Sequence, residues 1–470
     1  MCVVGRAGTP DESTHGCQRS ALIASANGVA RDGRLLCNAG TMTIYRRLGG
    51  LVGALALVAA ACGSGGGGDG PATRQVLVDY SHDAFAGYFI SYFPSEVIVR
   101  QGDTVRFVQA WNGEPHSVTL GTKVDEMMEV ITPLLERYGD VPEEEVPQEA
   151  FQQFSEAEEG LPFAYGDEDD LNQTAAQPCY LRSEEIPTDG RPCSEAQQRQ
   201  PEFDGSYSYY NSGIIPYRGT DGNEFEVKLA DDLDPGTYAF YCNVHGAFQN
   251  GTIEVREQGS DIPSESEVSR RGLAEAREQT DPLDEAFDEL KAGRGEIGGE
   301  RITGNIAGWF VEAPDINGAI NEFVPKTIEA RVGEKVTWKV IGGHTISFGD
   351  VPSYDAQFRM AEDGTVSLNP SHYEPQGGWP GMPEHEDEGD EGPPGEEGSS
   401  EGGPPSEEDD GPPPEVSLDA GTWDGDGFVS SGVVFGEGSP LLYSVTFSKA
   451  GTYDYACLIH PRMVGKVTVR

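Results

Sequence analysis

Basic residues are scarce in this 470-residue chain, where 32 Lys and Arg stand against 80 Asp and Glu for a formal net charge of −48. Nucleic acid is excluded as a partner, because its phosphates would be repelled. The acidity runs through both halves of the chain and fits either a high-salt habitat or steering toward basic partner proteins. Long apolar runs are missing as well. The stretch from Leu48 to Ala61 is too short to cross a bilayer comfortably. Histidine numbers only eight, with no His-x-His pair, and cysteine also eight. That scarcity makes the places where the two meet informative.

They meet near the end of the chain. Cys457-Leu-Ile-His460-Pro-Arg-Met463 sets a thiol, an imidazole and a thioether within one short loop, after the strand-like run Gly451-Thr-Tyr-Asp-Tyr-Ala. His344, in Gly-Gly-His-Thr-Ile-Ser-Phe, would complete a two-His, one-Cys site with a weak axial Met, the donor set that selects copper and tunes it for electron transfer. The layout recurs upstream as His116 in Glu-Pro-His-Ser-Val, followed by Cys242-Asn-Val-His245. Zinc fits less well, since a catalytic zinc needs an adjacent general base and neither Cys-His loop holds a Glu or Asp. A buried Cys on a strand is by itself only a small hydrophobe; repetition of the whole pattern argues for a site.

The copies align without gaps in two places. Residues 94–107 (PSEVIVRQGDTVRF) match 325–338 (PKTIEARVGEKVTW), and 236–245 (GTYAFYCNVH) match 451–460 (GTYDYACLIH). A repeat this long implies duplicated domains rather than a solenoid. The repeated segments alternate at a period of two and are rich in Val, Tyr, Phe and Thr, which predicts strands. Tyr453, Tyr455 and Cys457 then share one face, as do Tyr238, Phe240 and Cys242. Both halves resemble the cupredoxin family (plastocyanin, amicyanin, pseudoazurin, halocyanin) over roughly residues 75–122 and 213–257, and again over 302–350 and 432–470. The resemblance implies an all-β chain: two Greek-key cupredoxin β-sandwiches with long, partly disordered insertions. Each would hold one blue copper, through His344, Cys457, His460 and Met463 in the second domain and through His116, Cys242 and His245 in the first.

The first loop has no methionine and runs one residue longer before its glycine. Counting back from Gly251 puts Gln249 at the axial position; counting forward from His245 puts Phe248 there. An amide oxygen would favour Cu(II) and lower the potential of the first site relative to the second, which suits a directed relay. A duplicate that kept its fold and lost its metal would look similar. Oxidases and reductases of related build need further histidines, in His-x-His pairs or beside the copper Cys. Here Tyr241 and Ala456 precede the two cysteines, while His15, His82, His372 and His385 are scattered. No enzymatic activity is expected.

Residues 1–41 read as a non-globular extension or a spurious start, with Cys2, Cys17 and Cys37 unpaired and Met42 a candidate true start. Residues 42–62 combine Tyr45-Arg-Arg, a short apolar region and Ala-Ala-Ala before Cys62, which resembles a prokaryotic lipoprotein signal with Cys62 lipidated. The expected location is therefore extracytoplasmic and lipid-anchored to the cell membrane. Ordinary secretion and a start-anchored helix are the alternatives. Residues 63–74 form a flexible tether. Domain 1 spans 75–257 with an insertion at about 123–212, where a helix is expected to cap the sandwich. In that insertion Cys179 and Cys193 are expected to form a disulfide outside the reducing cytosol, worth about 3 kcal/mol if unstrained. Residues 258–300 read as a charged, solvated linker, helical as one element or a pair. Domain 2 spans 301–470 with an insertion at about 351–431, in which residues 384–415 are acidic, rich in Pro and Gly, and expected to be disordered.

The expectation is a membrane-tethered two-domain protein that carries single electrons between redox partners, with copper as cofactor. The runner-up is a copper-handling protein, and a third reading is a non-redox interaction scaffold. In the family, partners dock over the C-terminal ligand, here His460 with Ile459, Pro461 and Met463 beside it.

Overall fold

The computed structural model describes residues 70–470 apart from 140, 142–144, 166–170, 183–184, 216–222, 298–299, 311–317, 350–356 and 374–416. The signal, the extension, Cys62, the tether up to residue 69 and the acidic segment 384–415 lie outside the described residues; Thr73 and Arg74, expected in the tether, belong instead to the first strand, Thr73–Val78. Within them the chain is mostly β-sheet with few helices.

The first half is built on two sheets that share a core. One runs in the order Tyr92–Phe93, Thr73–Val78, Thr104–Gln109, Glu224–Lys228. The other runs Glu96–Arg100, Gly246–Arg256, Gly236–Cys242, Thr119–Leu120, Tyr209–Ser212, Pro178–Leu181. Alternation decides which side chains go in. Val76 and Val78 of the first sheet and Val97 and Val99 of the second are fully or almost fully buried, and they meet Phe107, Phe240 and Ile253 in one cluster. Burying branched and aromatic side chains on facing pleats is what holds two sheets together. The second half repeats this plan. One sheet is ordered Gly87–Phe89, Gly318–Val324, Asn305–Phe310, Lys335–His344, Val434–Phe447, Ser417–Trp423, and the other Thr327–Ala330, Val464–Val469, Gly451–Ala456, Ser347–Phe348, Val429–Ser430.

The pairings correspond strand for strand. Thr73–Val78 lies parallel to Thr104–Gln109 as Asn305–Phe310 does to Lys335–His344, and each half's last strand is parallel to the strand that follows its matched proline. The turns Gln101-Gly102-Asp103 and Val332-Gly333-Glu334 carry glycines at φ 80° and 82°, a conformation that favours a residue without Cβ. At the first of these turns the Asp103 carboxylate accepts from Ala72 and Arg100 backbone N–H at 2.7 and 2.9 Å.

The two halves interlock. Gly87–Phe89 belongs to the first half by sequence but pairs antiparallel with Gly318–Val324 of the second half's sheet. In the other direction, the hairpin Phe358–Met360 and Val366–Leu368 from the second insertion puts Phe358 and Val366 into the first half's core. Gln173 of the first half bonds the Val366 backbone at both its oxygen and its nitrogen, at 2.8 and 2.9 Å.

The connecting segment departs from its expectation. It is a single helix, Glu265–Lys291, and one face of it is buried: Val268, Gly272, Ala276, Thr280, Leu283, Phe287 and Leu290. Ser264 and Glu267 form a capping box at its start, satisfying end N–H groups that have no partner inside the helix. Leu283, Phe287 and Leu290 pack with Phe85, Phe89, Ile306, Trp309 and Ile320, so the helix seals a third cluster drawn from both halves. It is therefore not a solvated linker.

The first insertion contributes a helix, Thr122–Tyr138, whose Val124, Met127, Met128 and Ile131 are buried against Ala239 and Tyr241 of the sandwich. It also supplies two sheet strands, Pro178–Leu181 and Tyr209–Ser212. Cys179 and Cys193 are joined by a disulfide with Cα atoms 5.8 Å apart.

Candidate metal centres

Two groups of ligand-type side chains form among the described residues: His116, Cys242 and His245, and His344, Cys457 and His460. Within each group the donor atoms lie within 4.8 Å of one another. Cys242 and Cys457 are the free cysteines of the described chain, and both are buried. His82 and His372 belong to neither group.

Cys242 is the last residue of a strand of its half's second sheet and Cys457 directly follows one, and both are held by the same local device. The backbone N–H of the residue after the first histidine points at the sulfur: Ser117 to Cys242 at 3.2 Å and Thr345 to Cys457 at 3.4 Å. The hydroxyl of that same residue then accepts from the N–H that follows the cysteine, Asn243 at 2.7 Å and Leu458 at 2.8 Å. Ser117 and Thr345 thus latch the early loop to the late loop. Sequence reasoning passed over both, although His-Ser and His-Thr stand at matching places in the two copies.

In the first group His116 Nδ1 and His245 Nδ1 lie 2.8 and 2.9 Å from Gln249 Oε1, and His245 Nδ1 is 3.5 Å from Cys242 Sγ. Gln249 is buried and aimed at the ligands. Phe248 turns the other way and stacks on Phe154 at 5.1 Å between ring centres. The outer nitrogens are pinned by carboxylates: His116 Nε2 is 3.0 Å from Asp79 Oδ2, and His245 Nε2 is 2.9 Å from Glu114 Oε1. Asp79 is almost fully buried, and it is held there by N–H groups of Phe89 at 2.6 Å and Asn112 at 2.7 Å.

In the second group His344 Nδ1 lies 3.0 Å from His460 Nδ1, which is 3.5 Å from Cys457 Sγ. Met463 is fully buried in the cluster that holds Cys457 and Ile459, and its carbonyl accepts the Cys457 N–H at 3.0 Å. Where Asp79 stands in the first half, the second has Gly308. Register fixes the equivalence, since Val76 lies opposite Phe107 as Asn305 lies opposite Trp338, and Asp79 and Gly308 each follow three residues later with φ of 69° and 78°. A Cβ on Gly308 would sit 1.8 Å from His344 Nε2, so only glycine leaves the ring its place.

The electrostatics of the two groups differ accordingly. Burial opposes charge on His116, but its hydrogen bond to Asp79 and the neighbouring Cys242 outweigh that and raise it to about 10. Burial is likewise overcome at His245, which rises to about 9 beside Cys242 and Glu114. Burial would raise the Cys242 thiol, yet the two imidazoles hold it well below its ordinary value. The second group lacks such carboxylate support at His344. Burial drives His344 down to about 3; burial, with repulsion from His344, pushes His460 well below its usual range, and burial raises Cys457.

Both donor sets fit a metal ion. His344 bonds the Ile341 carbonyl as donor, which leaves its Nδ1 lone pair facing the Nδ1 of His460. A metal ion between the rings would take both Nδ1 lone pairs in place of the proton that otherwise bridges them at hydrogen-bond distance. In the first group the Gln249 oxygen adds a further acceptor to the same point.

The structure also moves the surface expected over His460. His460, Ile459 and Met463 are all buried, and His460 packs against the first half, its ring stacked on Tyr88 at 6.2 Å. Among the described residues His460 is thus covered by the first half, and of the expected patch Pro461 alone is partly exposed.

No family model matches the chain, and no curated protein matches it. Solved structures similar to parts of it include a purple cupredoxin from Nitrosopumilus maritimus, at 16% identity over 32% of this chain and 83% of that one, with a TM-score of 0.14. Auracyanin A, a "blue" copper protein from Chloroflexus aurantiacus, matches at 15% identity over 40% of this chain and 100% of its own, with a TM-score of 0.19. Auracyanin from Roseiflexus castenholzii matches at 13% identity over 40% and 98%, also at 0.19. At these TM-scores the likenesses carry no weight in reading the site, which stands on its own geometry.

Proposed function

We propose that this chain is a blue (type 1) copper protein that carries single electrons outside the cytoplasm, with one copper in each half. The observation that carries the reading is the donor set, met twice: a buried cysteine sulfur and two imidazole Nδ1 atoms converging, with Gln249 Oε1 beside one set and Met463 packed near the other. Soft sulfur with two imidazoles suits copper, which when bound would supply one-electron exchange between Cu(II) and Cu(I). The protein's part is to keep the donors still. The Ser117 and Thr345 latches fix the sulfurs, and Asp79, Glu114 and the Ile341 carbonyl fix the imidazoles, as outer partners of metal ligands do.

Burial of both sets speaks against handing metal to an acceptor, which needs an open ligand. A catalytic role is not proposed, since all the ligand residues are buried apart from His245, which is partly so. Attachment through lipidated Cys62 supports an extracytoplasmic location and is part of the proposal, resting on the residues around it. The partners would be soluble or membrane redox proteins, basic ones being favoured by the chain's acidity.

The full-length chain loaded with Cu(II) is expected to show an intense visible thiolate charge-transfer absorption. Cys457→Ser and Cys242→Ser should each remove part of it, and the double variant all of it. A colourless chain that takes up Zn and Cu alike would sink the blue-copper reading.

A further inference from the structure

Glu114 touches both centres. Its Oε1 lies 2.9 Å from His245 Nε2 and its Oε2 4.0 Å from His460 Nε2. These are the imidazole edges that face away from the donor clusters, one from each half, and both are largely shielded from water, with side-chain exposures of 12% and 3%. We propose that Glu114 joins the two centres into one internal relay, so that an electron leaving either centre by its second histidine meets the other centre and not an external partner. The proposal rests on the copper reading above.

Three further contacts hold the two edges together. Gly113 has φ 106°, and a Cβ there would lie 2.1 Å from the Ile459 carbonyl and 2.9 Å from His460 Cα, so the Glu114 loop presses on the His460 loop as closely as a backbone can. The Gln357 side-chain amide donates to the carbonyls of both Gly113 and Ile459, the latter at 3.3 Å, bridging the two loops. Arg462, beside the second loop, donates to the backbone carbonyls of His82 and Asp83 in the first half at 2.8 and 2.9 Å. The gap between the imidazole edges is therefore fixed by the fold.

Direction follows from what surrounds each set. Asp79 and Gln249 supply a negative charge and a hard oxygen to the first, where the second has Gly308 and Met463. Harder, more anionic surroundings favour the more oxidised state. One electron would thus pass from the first centre, which is oxidised, to the second, which is reduced, with no atom or proton changing place.

The test uses the full chain carrying copper in both halves, with each centre's absorption assigned from the two Cys→Ser variants. After rapid one-electron reduction by a photochemical donor, the approach of the two bands to equilibrium gives the transfer rate between centres. Glu114→Ala and Gly113→Ala are each expected to slow it at least tenfold, and Glu114→Gln, which keeps the bridge without the charge, to slow it less. In the metal-free chain, the His245 Nε2 proton should exchange with water faster in Glu114→Ala than in wild type. Should Glu114→Ala lose copper, Gly113→Ala and Glu114→Gln decide alone. Unchanged transfer in the variants that keep both bands would overturn the relay, while absence of any thiolate band in wild type would overturn the copper reading instead.

Discussion

Asp79 and Gly308 show how one residue can set two copies of a site apart. They sit at the same register with the same left-handed backbone, but one places a buried carboxylate on His116 and the other leaves the His344 ring against backbone. Gln249 against Met463 adds a second difference of the same sign. With copper bound as proposed, Gln249→Met replaces a hard oxygen with a soft thioether and is expected to raise the first centre's reduction potential by ~60 mV or more, a tenfold change in its one-electron equilibrium. Phe248→Met should do little, because Phe248 faces Phe154 and not the ligands. Redox titration of the first centre's band checks both. A different acid governs stability. Burial raises Asp125 to about 6, against a hydrogen bond from the Ala239 N–H that lowers it. A carboxyl whose folded value is raised contributes its stability below the unfolded value, near pH 4, and loses it as pH climbs through about 6. Asp125→Asn keeps the acceptor without the charge. It should therefore raise the midpoint of thermal unfolding at pH 7 by about 2–4 °C and change it little at pH 4, as a pH series of melting curves would show.

At the scale of elements, the ligand loops and the strands beside them were legible because each is local in sequence. Alternation marks the inward faces, and Cys-x-x-His marks the side chains that the fold brings together with an earlier histidine. The helix Glu265–Lys291 was harder to read as packed. Its buried face recurs every three or four residues, but Gly272, Ala276 and Thr280 in the middle of it carry little apolar surface, so the stripe reads as weak. Those small residues are there for close approach. A Cβ at Gly272 would lie 2.7 Å from the Phe93 carbonyl oxygen and 2.8 Å from Pro94 N, backbone that cannot swing away. Gly272→Ala therefore sets two effects against each other. Helix propensity favours alanine by about 1 kcal/mol, and overpacking against a fixed backbone costs about 1–3 kcal/mol. The clash is expected to win, and denaturant titration should show net destabilisation; a gain in stability would mean that the helix rides clear of the first half. Asp79 and Glu114 gave no sign in the sequence for a related reason. Neither has a counterpart in the other copy, and what each does depends on where distant segments come to rest.

The two halves of the molecule are more than separate units on a string. A strand from the first half extends the second half's sheet, a hairpin from the second insertion enters the first half's core, and the connecting helix seals a cluster shared by both. Each half buries apolar surface belonging to the other, so losing either should expose the remaining one. The fold should therefore open as one cooperative unit despite its length. With copper in both halves, the two thiolate bands are expected to vanish together as denaturant rises, along with the aromatic circular dichroism of the cores. Phe358→Ser with Val366→Ser removes the hairpin's anchor in the first half and leaves every ligand in place. In that variant the first centre's band should be lost at lower denaturant than the second's. Two well-separated transitions in the wild-type chain would show instead that the halves fold independently, and the fixed gap between His245 and His460 would then have no structural guarantee.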